Sequence, residues 1–333
     1  MKIQTRLFTI IGISVILLVG TITCYTSVST PLAYGNSQKE KAINYLTNVM
    51  FVPSVGLLKE APIAKPNTIW LTNDNLIAYA VLSELNNPTA TTLNQSLAQY
   101  GISGNGLVEV LLNQTIEPIR GSNSHDIAIV GQYTIKEDVR DGGVMQDFNQ
   151  YADLCFWWSQ NLLLSNDITG AINYFNQGMS MWNGTGFLDV VFNDSQPKEF
   201  QTFKVGLALW MAERLNYTTN GNLYKQTSFT DADYSEMQSI IWSLQDPTNG
   251  GIHTGYTSTS GTIGSNTDTN VETTSICLLY LSVPPPSQTS TVPEIILLSL
   301  LVVLVVCASA IILYKKKAKP KKRQQSMRIV QSF

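Results

Sequence analysis

Most of the stretch 271–281 is apolar: Val271, Ile276, Cys277, Leu278, Leu279 and Leu281 leave little polar face. A helix that is apolar all round has no side to turn to water, so it belongs to an inner layer. Its N-terminal end should then open on an interior cavity rather than on bulk solvent. At that mouth Asn270 can cap the helix, Thr273 and Thr274 can bond backbone groups, and Glu272 meets the positive end of the helix dipole. The preceding residues, 250–270, are mainly Ser, Thr, Asn and Gly. A loop this polar packs poorly, and a mobile rim or lid across the cavity mouth is expected.

The surrounding sequence offers further helices. Residues 39–51 carry apolar side chains at helical spacing, Asn73 or Asp74 can cap "NLIAYAVLSEL", and "TTLNQSLAQYG" has a threonine start and a glycine stop. Segments 146–164 and 168–182 are joined by "SND", short enough to force an antiparallel hairpin. Segment 199–215 is amphipathic, and 233–244 follows it. The exception is 107–140, where "LVEVLL" and "IAIVGQYTIKEDV" alternate and are rich in β-branched residues; a β-rich insertion is expected there.

Both ends of the chain read as membrane-related. Lys2 and Arg6 precede an apolar run to Ile22, the pattern of a secretory leader or an N-terminal anchor over 1–35. Residues 295–314 are uncharged and mostly apolar, enough at roughly 1.5 Å per residue to cross a core of about 30 Å. "KKKAKPKKRQQSMR" follows at once, and a basic cluster beside a span marks the cytoplasmic side, giving a tail over 315–333. The Pro/Ser/Thr-rich segment 283–294 is an extended, stiff linker. The remaining body, 36–282, is expected outside the cell on a single-pass membrane protein, with the membrane as its partner through the C-terminal helix.

The formal charge of −3 conceals an asymmetry. The two ends hold nearly half of the 21 basic residues, so the body is strongly acidic against the 24 Asp and Glu. That balance excludes nucleic acid as a partner, because its phosphates need compensating cations. Cys155 and Cys277 are the cysteines of the body; export permits a bridge between them, while their apolar surroundings equally suit two buried free thiols. Acceptor sequons at Asn94, Asn113, Asn183, Asn193 and Asn216 agree with an exported glycoprotein.

"IWSLQDPTNGGIHTGY…NTDTNVETTSICLLYL" resembles the unit of α/α-toroid proteins in which a helix, a Q-x-x-x-x-G-G turn and a threonine-mouthed inner helix follow one another. "NTIWLTNDNLIAYAVLSEL" and "DFNQYADLCFWWSQNLLL" are similar to inner-helix openings of that group, which includes terpene cyclases, prenyltransferase β subunits and six-hairpin glycosidases. The order of segments also resembles that of archaeal membrane-anchored surface proteins. The resemblance implies a mainly α fold, an α/α toroid of helical hairpins, with an incomplete ring as the alternative to a closed one. Two activities of the group lack their residues here. The D-x-D-D run of protonating cyclases is replaced by Asp231-Ala-Asp233-Tyr234, and with two histidines in the chain a zinc set is missing. No metal or cofactor is expected.

In such a ring the inner-helix openings converge on a pocket. Asp74, Asp153 and Glu272 are therefore candidate catalytic carboxylates, with His253 after the double glycine as a candidate acid or base. Trp70 and Trp158, with Tyr256, offer aromatic faces for sugar rings, and Asp147 stands at a further opening; these four are candidate ligand-binding residues. The remaining tryptophans are expected in the core. Each carboxylate has an ordinary structural role as well, since acids in a first helical turn stabilise it by about 0.3–2 kcal/mol. Two functions follow. The first is a surface module binding glycan or protein without turnover. The alternative is a polysaccharide-processing enzyme, glycosidase- or lyase-like, that works through a carboxylate pair.

Overall fold

The computed structural model describes residues 35–283, except Ser260 and Asn266. The expected leader, most of the linker, the span and the basic tail lie outside the described residues. Among the described residues no helix is long and apolar enough to cross a membrane.

The body is mainly helical with some sheet. Helix α1 is Gly35–Asn44, α2 Ile77–Glu84, α3 Thr89–Gln99, α4 Ala152–Leu164 and α5 Ile168–Met179. The short α6 is Val190–Asp194, followed by α7 Thr202–Thr218, α8 Leu223–Gln226, α9 Asp231–Ser243 and α10 Val271–Leu279. Caps fix many of the starts. Asp167 accepts from Gly170 N at 2.9 Å to open α5, and Asn270 accepts from Thr273 N at 2.8 Å to open α10. Thr230 and Asp233 form a reciprocal capping box on α9.

Helix α10 is buried along its length apart from Glu272. It packs between α2 and α7; α7 packs in turn on α4, and the helical turn Val108–Leu112 touches both α4 and α2. The approach of α7 to α10 depends on Gly206, where an added Cβ would lie 3.0 Å from Cys277 Cα. The intervening helices α3, α5 and α9 pack on α2, α4 and α7. The indoles of Trp157 and Trp210 fix α4 against α7, with ring centroids 5.7 Å apart. These two are the fully buried tryptophans; Trp182 and Trp242, expected in the core, are only half-buried.

Three small sheets complete the body. Strands β1 Phe51–Val52 and β2 Leu57–Leu58 form a hairpin. Strands β3 Thr68–Trp70, β4 Asn123–Val130 and β5 Tyr133–Val139 are ordered β3-β5-β4; β3 runs parallel to β5, and β4 and β5 are antiparallel. Strands β6 Phe200–Gln201, β7 Gly255–Thr259 and β8 Thr262–Ser265 are antiparallel in that order.

Part of the expected β-rich insertion needs correction. "IAIVGQYTIKEDV" forms the β4–β5 hairpin, but "LVEVLL" is a helical turn, Val108–Leu112. Both Val108 and Val110 are buried, so the segment keeps its alternating pattern while wrapping onto α2 and α4 instead of pairing. The polar stretch before α10 is likewise not a loose loop. It supplies β7 and β8, whose backbone groups are satisfied by one another and by β6. Cys155 and Cys277 are free and buried.

Candidate functional site

Helices α2, α4, α7 and α10 point the same way. Glu84, Gln160, Arg214 and Leu279, from the C-terminal halves of the four, border one small pocket. At the other end Asp74 (in the turn Leu71–Leu76 that leads into α2), Asp153 of α4, Lys204 of α7 and Glu272 of α10 come together. Parallel packing thus gathers four positive dipole ends, an environment that draws carboxylates.

Burial works against that attraction. Asp74 is 2% exposed, its Oδ2 has no hydrogen-bond partner, and its carboxyl is held well above the usual range. Burial is the main cause; Glu272 and Glu60 add repulsion, while Lys65 and the backbone N–H of Glu272 oppose it. Glu272 keeps partial exposure as a residue, yet its carboxyl is raised to about 7. Desolvation leads again, followed by repulsion from Asp153, Glu60 and Asp138, with Arg140 pulling the other way. Glu272 is not the cap of its helix, since Asn270 fills that place. A carboxyl at about 7 can both give and take a proton near neutrality.

Beneath this pair lies a buried ionic network. Lys204 is 2% exposed and its Nζ contacts Asp189 Oδ2 closely and Asp153 Oδ1 at 3.4 Å. Asp189 also accepts from Ala152 N and from Phe192 N, both at 3.2 Å, tying the starts of α4 and α6 to α7. Trp70 donates through Nε1 to Glu60 Oε2 at 2.8 Å, and Lys65 pairs with Glu60 at 3.1 Å. Glu60, Asp153 and Asp189 are therefore held by specific partners.

Glu272 opens onto a cleft of about 400 Å³. Pro197, Glu199, Phe200 and Gln201 around β6 line it beside Thr254 and Gly255 of the neighbouring strand region and Thr267, and Asn270 and Thr273 lie close to Glu272 in sequence on the same lining. Glu199 and Glu272 are the carboxylates on this lining. The mixture of hydroxyls, amides, two carboxylates and two phenyl rings suits a polyhydroxylated ligand. Among the described residues no group of three or more His, Cys, Asp or Glu is arranged to hold a metal ion.

The other candidates fall elsewhere. His253 has its Nδ1 against the Thr267 carbonyl and its Nε2 3.8 Å from Asp246 Oδ2, behind the hairpin and off the cleft lining. Tyr256 is fully buried against Phe200, with its hydroxyl donating to Thr185 O at 2.6 Å. Trp158 packs on Phe148 and Tyr174, and Asp147 is exposed at the head of the turn Phe148–Gln150. Trp70 is half-buried beside Glu60, under Lys136 Nζ at 5.6 Å. Sequence reasoning missed Glu199, Lys204 and Asp189. Glu199 reads as the first residue of an amphipathic helix, whereas the helix begins at Thr202 after two residues of strand. A lone lysine among apolar residues in "FKVGLALW" was the available signal for a buried ion pair.

No protein-family model, curated protein or solved structure matches the chain.

Proposed function

We propose that the body is a glycan-processing enzyme of the acid–base type, with Glu272 as proton donor and Glu199 as the second carboxylate of the cleft. The observation that carries this reading is the state of Glu272: a cleft-lining carboxyl raised to about 7 that its helix does not need as a cap. Glycoside cleavage takes one carboxyl protonated for the leaving oxygen and another ionised to act as base or nucleophile. Glu199 is the other carboxylate that borders the same space. Burial, with repulsion from Asp153, Glu60 and Asp138, keeps the proton on Glu272.

The parallel set α2, α4, α7 and α10, with α3, α5 and α9 packed on it, supports the α/α-toroid reading, and an open ring suits a polymer threaded along a cleft. In this proposal the leader exports the body, segment 295–314 anchors it, and the basic tail remains inside. Protease added to intact cells should then remove the body and leave a small basic fragment.

The functional test is a polysaccharide-degradation screen paired with Glu272→Gln. Wild-type turnover should decline as pH rises past about 7, because the donor must be protonated. The variant should lose turnover by about 10²–10⁴-fold while still binding. Glycan binding by the wild type without any turnover would return the non-catalytic display module in its place.

A further inference from the structure

Around the cleft, the charges are unevenly distributed. Glu199 and Glu272 line it, and no Lys, Arg or His is among the described lining residues. Of the cations close by, Lys198 and Lys204 are committed elsewhere, and Arg140 reaches Glu272 but does not line the cleft. Lys198, next to Glu199, donates through Nζ to Phe192 O at 3.1 Å and to Asn193 O, and lies over the Phe192 ring. Lys204 is enclosed with Asp189 and Asp153. Arg140 donates through Nη1 to Arg120 O at 2.9 Å and faces Asp153, Asp138 and Glu272.

The same lining holds one acceptor that nothing satisfies. Gln201, between Phe200 and the start of α7, lines the cleft with a buried Oε1 that has no hydrogen-bond partner. Buried acceptors left unmade are costly, so a ligand here gains by bringing donors. Opposite Glu199 stands Gly255, where an added Cβ would come 3.3 Å from Glu199 Oε2. Any side chain there would crowd the carboxylate, so the glycine keeps it approachable.

We infer that the cleft takes a glycan carrying an unsubstituted amine, with the ammonium seated at Glu199 beside Gln201, and that uronate- or sulfate-bearing chains are excluded. This rests on the reading of the cleft as a glycan site. An ammonium supplies three donors and a positive charge to a wall of acceptors and carboxylates, whereas a uronate adds only acceptors and like charge. The acidic body extends the same preference beyond contact distance, and salt weakens that part.

The test is calorimetric titration of the intact protein at pH 6 with three tetrasaccharides: β-1,4-glucosamine, its fully N-acetylated counterpart and α-1,4-galacturonate. The expected result is at least tenfold tighter binding of the amine form than of the acetylated form, with no galacturonate binding. In Glu199→Gln, checked for folding by circular dichroism, that preference should shrink to within about threefold, whereas Glu272→Gln should retain it. Equal affinity for the amine and acetylated forms, binding of galacturonate as tight as either, or a preference that survives Glu199→Gln would overturn the inference while leaving the glycan reading standing. If the wild type binds neither these oligomers nor any glycan in the degradation screen, the glycan reading falls and this inference falls with it.

Discussion

Replacing Lys204 with Met removes the only cation that contacts Asp189 among the described residues, and the geometry sets the size of the effect. Lys204 and Asp189 are 2% and 3% exposed, so neither can recover the lost interaction from water. Asp189 keeps its two backbone donors, Ala152 N and Phe192 N, but these do not neutralise a charge. Breaking one side of a buried pair costs about 3–5 kcal/mol, a large part of the roughly 5–15 kcal/mol that holds a domain folded. Urea unfolding of the intact protein, followed by fluorescence of the buried Trp157–Trp210 pair, should show that loss at pH 7. Adding Asp189→Asn to Lys204→Met should restore about half of the loss, since the amide oxygen can still accept from one of the two helix starts. A deficit below about 1 kcal/mol at pH 7 would refute the argument that the pair is a desolvated ionic lock.

Other perturbations give separate tests. Glu272→Gln should stabilise the fold by about 1–3 kcal/mol at pH 8 and hardly at all at pH 4: the native carboxyl is raised to about 7, so ionisation costs folding energy progressively from the unfolded value upward, and glutamine never pays it. Urea midpoints at the two pH values check this. Asn270→Ala removes the cap of α10 and should cost about 1 kcal/mol, with faster amide exchange at Thr273. Gly206→Ala sets a methyl 3.0 Å from Cys277 Cα, and a loss of about 1–3 kcal/mol in thermal unfolding is expected from the forced separation of α7 and α10.

What the sequence determined by itself was local or periodic. The run beginning at Val271 was readable as interior because its apolar residues leave little polar face, and Asn270 was readable as its cap because capping spans three residues. The β4–β5 hairpin was legible from alternation around a Gly-Gln turn. Tertiary structure decided what depends on partners far along the chain. Asp74 and Glu272 meet because α2 and α10 pack side by side, and nothing near either residue encodes that approach. "LVEVLL" has a strand's alternation, yet burial against α2 and α4 rewarded a helical turn. Glu199 became a cleft residue only when β6 paired with β7, more than fifty residues downstream, shortening the helix that the pattern alone would have begun at Glu199. Local propensity and periodicity act within a few turns of chain, whereas the raised carboxyl of Glu272 is a property of burial and of charges contributed by three separate segments.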